Sequence, residues 1–320
     1  MFKKVFLNLL ATLLIVQVSA CVTNKSLYPA VDVEMKLEKV SDHVYYARGM
    51  TGTATENQGF ISNAAVIILD EGIILFDALG SPSLAEKILA EIRKISDKPI
   101  KKVFISHYHA DHFYGVQFFK DMGAEIYAPK GAITYLNSEG ATNRLNARRE
   151  NLSPWINKQT RLVNPDHLID QDSVIQFSGM DINILHFGAA HSHGDLSLYL
   201  PSEKVLLSGD LIFTGRIPFV GGDDINNWIS KIETLAAMDA NVIVPGHGAA
   251  FEDKQAGVKL THEYLLFLRD QMAEAIDQMI PFDEVYAKIN WEKFENLPAF
   301  KRANRINAYR VYLALEAQSF

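Results

Sequence analysis

Four metal-binding side chains within six residues are the tightest constraint this chain carries: His107, His109, Asp111 and His112, in the run His107-Tyr108-His109-Ala110-Asp111-His112. The run follows Val103-Phe104-Ile105-Ser106 directly, so it stands at the end of an expected buried strand. Imidazole and carboxylate are donors suited to a borderline divalent metal such as zinc. Strand ends are also where a rigid sheet presents functional side chains. A polar surface loop would account for the polarity of the segment but not for this donor set at this spacing.

The N-terminus reads as an export address. Lys3 and Lys4 precede an apolar stretch from Val5 to Val18, which has signal-peptide length and is too short to span a bilayer comfortably. It ends in Val18-Ser19-Ala20-Cys21, which looks like a bacterial lipobox. On that reading residues 1–20 are a lipoprotein signal peptide, Cys21 carries the lipid, and residues 21–32 are a tether. The protein is then expected at a membrane, facing the periplasm. Val22 is not the aspartate associated with inner-membrane retention, which favours the outer membrane. The alternative is an ordinary secretory signal with an incidental cysteine. Cys21 is the single cysteine of the chain, which excludes an intramolecular disulfide and a cysteine ligand inside the fold. Loss of two lysines with residues 1–20 takes the formal net charge from −7 to −9. With that sign and no basic block, nucleic acid is not an expected partner. A chain that is 48% apolar can bury one large core.

Hydrophobic periodicity organises the rest. Strands are expected at Val33–Leu37, Val44–Ala47, Ala65–Leu69 and Ile73–Phe76, the last two joined by a turn at Asp70-Glu71-Gly72. A loop occupies Gly49–Gly59. A helix follows Pro82 over Ser83–Ile95, then a strand at Lys102–Ile105, a helix over Phe113–Met122 closed by Gly123, and a strand at Glu125–Ala128. Such alternation implies an α/β sheet with helices on its face. Residues 130–170, with Arg144, Arg148, Arg149 and Trp155, read as a helical insertion near the site. Val174–Phe177, Ile182–His186, Ser197–Leu200 and Val205–Leu207 would form a second sheet, followed by a helix over Asn226–Met238 and a strand at Val242–Val244. From Gly257 the chain is helical, ending in a helix from Pro298 to Ala317. The recurring β-rich order suggests two similar halves packed face to face.

Three more signals each follow an expected strand: Ala190-His191-Ser192-His193-Gly194-Asp195, Ser208-Gly209-Asp210 and Pro245-Gly246-His247-Gly248. The ordered set His107, His109, Asp111, His112, His191, Asp210 and His247 resembles the metallo-β-lactamase-fold hydrolase superfamily, over roughly residues 33–250. Asp77, in Phe76-Asp77-Ala78-Leu79-Gly80, matches that family's structural aspartate. The resemblance implies an α/β fold, a four-layered αβ/βα sandwich with its metal site at one edge between two sheets. Residues 251–320 would be a helical extension packed on the same domain. It also implies two zinc ions per chain, with iron or manganese as other candidates. His107, His109 and His191 would hold the first, Asp111, His112 and His247 the second, and Asp210 would bridge them. The stretch from about 60 to 125 and the tail Asn304-Arg305-Ile306-Asn307-Ala308-Tyr309 resemble the SoxH-like and quinoprotein-relay group of exported metallohydrolases.

Neutral imidazoles with few carboxylates leave net positive charge on such metals, which brings the pKa of a bridging water toward 7. The resulting hydroxide would attack a carbonyl-type carbon, with Asp111 orienting the nucleophile or shuttling its proton. Ser192 and His193 are candidates for supporting neighbouring ligands. The leading expectation is a zinc-dependent hydrolase of a small ester, lactone, thioester or lactam. The alternatives are a β-lactamase proper, a mononuclear-iron persulfide dioxygenase, and a non-catalytic metal-binding accessory protein of an exported redox system. The tail is expected to pack on the sandwich, with Arg302 and Tyr309 as candidates for a pocket wall.

Overall fold

The computed structural model describes residues 28–221 and 224–319. The expected signal peptide and Cys21 lie outside the described residues. One sheet takes seven strands in chain order: β1 (Leu37–Lys39), β2 (Val44–Ala47), β3 (Ala64–Leu69), β4 (Gly72–Phe76), β5 (Ile100–Phe104), β6 (Glu125–Pro129) and β7 (His167–Ile169). β1 to β4 run antiparallel and β4 to β7 parallel. The connections of the parallel part hold α1 (Pro82–Ile92), α2 (Ala110–Phe113), α3 (Val116–Asp121), α4 (Gly131–Leu136) and α5 (Glu139–Asn151). A second sheet contains β8 (Ser173–Phe177), β9 (Met180–His186), β10 (Leu196–Leu200), β11 (Val205–Phe213) and, after α6 (Ile225–Ala237), β12 (Val242–His247). Its order is β12-β11-β10-β9-β8, parallel only at β11–β12. The helices α7 (Lys254–Asp277), α8 (Phe282–Lys288) and α9 (Phe300–Gln318) complete the chain.

Strand alternation sorts the apolar side chains into separate layers. In β4, Ile73 and Leu75 face α1 and α3, while Ile74 and Phe76 face the second sheet. Phe104, Leu198, Val205 and Leu207 fill the seam between the sheets. On the far side Leu206, Leu211 and Ile243 pack under Trp228, Leu265, Leu268 and Val311 of α6, α7 and α9. The order of layers is therefore helix, sheet, sheet, helix, as expected. In α1, Ser81 caps the first turn by accepting from Leu84 N at 3.2 Å, and Pro82 opens it. Its buried stripe of Leu84, Ile88 and Ile92 contributes roughly 1.5–3 kcal/mol per side chain.

Several elements depart from expectation, among them β7, a strand inside the 130–170 stretch expected to be helical. The first strand is Leu37–Lys39, not Val33–Leu37: Val33 and Met35 are buried, but the ladder with β2 begins only at Leu37, opposite Ala47. The helix expected to reach Ile95 ends at Ile92, because the Arg93 guanidinium turns back to Ser96 O and Lys98 O, leaving Ile95 exposed. The helix expected over Phe113–Met122 is two short pieces meeting at Tyr114 and Gly115. Gly115 N donates to Leu79 O at 3.0 Å, and a Cβ on Gly115 would lie 1.9 Å from Ala78 O. The break therefore lets the Asp77–Gly80 turn press against this segment. Finally, β11 does not stop at Leu207. It continues to Phe213 through register shifts at Gly209, so Asp210 sits in a bulge that re-aims its side chain.

Candidate metal centre

Donors arrive from both sheets. The chain leaving β5 supplies His107 and His109, and α2 supplies Asp111 and His112. The loop after β9 brings His191, the bulge of β11 brings Asp210, and the end of β12 brings His247. All seven converge in two adjoining groups, His107, His109, His191 and Asp210, and Asp111, His112 and His247, with the donor atoms of each within 4.8 Å of one another. Six are buried; Asp111 keeps 17% of its side chain exposed and marks the open side.

His109 Nδ1 lies 2.9 Å from both His107 Nε2 and His191 Nε2. Asp210 Oδ2 lies 3.3 Å from His191 Nε2 and 3.4 Å from His247 Nε2, while its Oδ1 is 3.1 Å from His112 Nε2. Asp111 Oδ2 is 3.4 Å from His247 Nε2 and 3.7 Å from His112 Nε2. Bonds of about 2.0–2.2 Å to a tetrahedral metal put neighbouring donors roughly 3.3–3.6 Å apart, close to the carboxylate–imidazole spacings, while the two nitrogen pairs around His109 are shorter. The donors also need a cation. His109 Nδ1 has one proton or one lone pair and cannot satisfy two facing ring nitrogens. The residues present thus form two adjoining donor groups, each of a kind that could hold a metal ion, with Asp210 of the first group reaching His112 and His247 of the second.

A surrounding layer sets the rings. His112 Nδ1 meets Asp77 Oδ2 at 2.7 Å, and Asp77 also accepts from Ser106 N at 2.7 Å and Ser106 Oγ at 2.9 Å. Asp77 takes φ +69°, a left-handed backbone that Asp tolerates better than most residues. Ser106 Oγ is 2.9 Å from His107 Nδ1. His247 Nδ1 donates to Ile61 O at 2.7 Å, which leaves its Nε2 lone pair facing the centre. Ser62 Oγ donates to Asp111 O at 2.5 Å, and Asn63 Nδ2 donates to Pro245 O at 2.7 Å. A Cβ on Gly246 would lie 2.0 Å from Asp210 Oδ1, so that position must be glycine for the carboxylate to reach in.

Burial pushes His107 and His109 well below the ordinary imidazole range and His191 down to about 4. These three are neutral at pH 7, the form that binds metal. His112 goes the other way: burial opposes its charge, but Asp210, Asp77 and Asp111 outweigh burial and raise it well above the usual value. Burial likewise resists ionisation of Asp210, and His112 and His247 overcome it. Burial raises Asp77, against the pull of His112 and Ser106.

Residues 57–247 match the model of the metallo-β-lactamase superfamily. The chain belongs to this superfamily. It is similar to the linear primary-alkylsulfatase of Pseudomonas sp. (strain ATCC 19151), 26% identical over 68% of this chain and 48% of that protein. It thus spans about half the length of that relative. It is also similar to the metallo-beta-lactamase type 2 of Elizabethkingia meningoseptica, 22% identical over 67% of this chain and 79% of that protein. Among solved structures, the stereoselective inverting sec-alkylsulfatase Pisa1 from Pseudomonas sp. superposes with TM-score 0.65 at 19% identity, over 87% of this chain and 50% of that one.

In this member of the superfamily, all seven expected donors and Asp77 meet at one centre. Of the two neighbouring candidates, Ser192 turns its hydroxyl away from the ligand rings. Ser192 Oγ donates to Asp195 Oδ1 and Gly194 O, both at 3.0 Å, and its N donates to Asp195 Oδ2 at 2.9 Å, so it shapes its own loop. His191 Nδ1 is left without a hydrogen bond. His193 is exposed outside both groups, its ring 6.2 Å from that of Tyr108. Sequence reasoning missed Ile61-Ser62-Asn63, whose signal was three residues at the foot of an expected strand, and Ser106, whose hydroxyl meets the ring of His107. The tail packs, as expected: Tyr264 OH donates to Asn304 Oδ1 at 2.8 Å, and Asn307 donates to Tyr264 OH at 3.0 Å. Tyr309 is exposed and lies against Phe282.

Proposed function

We propose that the protein is a zinc-dependent hydrolase of a small ester, lactone, thioester or lactam. The observation that carries this is Asp210, a carboxylate within 3.1–3.4 Å of His112, His191 and His247 and therefore shared by two donor groups. Two divalent ions held by those groups would supply a low-pKa water and Lewis-acid polarisation of the substrate. His107, His109 and His191 are the donors of one group, neutral through burial; Asp111, His112 and His247 are those of the other. Asp111, on the open side, would orient the nucleophile or shuttle its proton. Asp77, Ser106 and Ile61 contact the far ring nitrogens of His112, His107 and His247.

A second reading, cleavage of an alkyl sulfate ester, has support from the name of the 26% identical relative. The test is metal content with and without chelator, beside turnover of 4-nitrophenyl acetate, a lactone, a glutathione thioester, nitrocefin and an alkyl sulfate. Two zinc ions and chelator-sensitive cleavage of one of the carbonyl substrates are expected. Turnover of nitrocefin alone would make it a β-lactamase, and of the alkyl sulfate alone a sulfatase. One iron with persulfide-dependent oxygen uptake, or two metals with no turnover, would overturn the hydrolase reading. The likeness to SoxH-like exported metallohydrolases and the lipobox reading belong to the same proposal. Cys21→Ser is expected to move the protein from the membrane pellet to the soluble fraction; continued pelleting would sink the lipid-anchor reading.

A further inference from the structure

Three ligand rings have a polar contact on the nitrogen turned away from the centre: His107 meets Ser106 Oγ, His112 meets Asp77, and His247 meets Ile61 O. His191 is different. Its Nε2 faces the other donors, 2.9 Å from His109 Nδ1 and 3.3 Å from Asp210 Oδ2. The Nε2 lone pair is therefore the one offered to a metal, and the ring proton then sits on Nδ1. That nitrogen is buried and has no hydrogen bond among the described residues. A buried N–H without an acceptor is costly, and metal-ligating histidines ordinarily give this proton to a carboxylate, a carbonyl or water.

Beyond the donors, the His191 ring lies among aromatic side chains. Trp228 stands at 74° to it with ring centroids 4.9 Å apart, and Phe213 lies 5.7 Å away at 53°. Trp228 is held in place. It is 1% exposed, and its Nε1 donates to Leu211 O at 3.0 Å, on the residue after Asp210. Its neighbour Asn227 donates to Ala189 O at 2.6 Å and to Phe187 O at 3.2 Å, which pins the loop carrying His191 to the first turn of α6. With the indole N–H spent on the backbone of β11, the ring face is what Trp228 has left to offer. An N–H aimed at an aromatic face is a weak hydrogen bond, and a nearly perpendicular pair of rings suits it.

We propose that Trp228 is a positioning residue for metal binding: its indole face receives the Nδ1–H of His191 and so aims the Nε2 lone pair at the ion of the first donor group. This rests on the two-ion reading above and is independent of which bond is cut. Its test needs no turnover and uses wild type, Trp228→Phe, which keeps an aromatic face, and Trp228→Leu, which fills space without one. Competition between the zinc-loaded proteins and a chromogenic chelator should show affinity at His107, His109 and His191 falling about 10–100-fold in Trp228→Leu and largely kept in Trp228→Phe. Affinity at Asp111, His112 and His247 should be unchanged in both. The second measurement needs only wild type, so it stands even if Trp228→Leu does not fold. In zinc-loaded protein with isotope-labelled histidine, the Nδ1 proton of His191, assigned by its absence in His191→Gln, should resonate upfield of the His247 Nδ1 proton bonded to Ile61 O, because an aromatic face shields what lies over it. A downfield proton, as a bond to a buried water would give, or an equal loss of affinity in Trp228→Phe and Trp228→Leu, would overturn the proposal and leave Trp228 as core packing. A wild type that takes up no zinc would bring down the two-ion reading and this inference with it, and that result is seen before any variant is compared.

Discussion

Asp210→Ala is expected to abolish hydrolysis and reduce bound metal from two ions to at most one, with the far-ultraviolet circular dichroism unchanged. The carboxylate is the one group shared by both donor sets, within 3.1–3.4 Å of three imidazoles. Without it, His112 and His247 are left with Asp111 as their only carboxylate within the second donor group. Loss of a preorganised electrostatic group alone typically costs about 10²–10³-fold in rate, and here a coordinating group goes with it. The metal-free proteins give an independent check through pH. The Asp210 pKa is depressed in the folded state. Its contribution to stability is therefore present above the unfolded carboxylate value of about 4 and is lost as pH falls toward the folded value. Wild type stripped of metal should lose stability more steeply than Asp210→Ala below about pH 4. A variant that keeps two metals and its turnover would show that Asp210 does not join the two groups.

Most donors of this centre were readable in the sequence because they stand where a strand ends, and strand ends are marked by a switch from apolar to polar residues. His107 to His112, His191 and His247 carry that mark, whereas Asp210 lies inside β11 and showed itself only because Ser208-Gly209 interrupts the apolar run. What could not be read was anything set by contact between distant segments. The break at Gly115 is imposed by Ala78 O, some thirty-seven positions earlier, and an apolar helical period across Phe113–Met122 gives no hint of it. The bulge in β11 depends on how Gly209 passes Ser106, so the pattern Val205–Leu207 looked like the whole strand. Ser106 and Ser192 are equivalent by sequence, each beside a ligand histidine. Only the packing shows that the first turns its hydroxyl to His107 and the second to Asp195.

Asp77→Asn should separate orientation of a ligand from ligation itself. The amide fits the space of the carboxylate, and asparagine accepts the left-handed backbone at φ +69° as readily as aspartate. Its oxygen can still accept from Ser106 N. Its NH2 group, however, would replace the oxygen that His112 Nδ1 now meets at 2.7 Å. A donor there requires Nδ1 to be the acceptor, which moves the ring proton to Nε2 and removes the lone pair that faces Asp210 and His247. Affinity for the metal held by Asp111, His112 and His247 is expected to fall about 10–100-fold, while the metal held by His107, His109 and His191 stays bound. Asp77→Ala should be worse, because it strands the Ser106 N–H and the His112 ring in a buried space, each at a cost of about 1–3 kcal/mol. Competition with a chromogenic chelator would resolve the two affinities, and urea unfolding would measure the stability of both variants. Equal loss of both metals in Asp77→Asn, or loss of neither, would show that the contact between Asp77 and His112 does not set the ring.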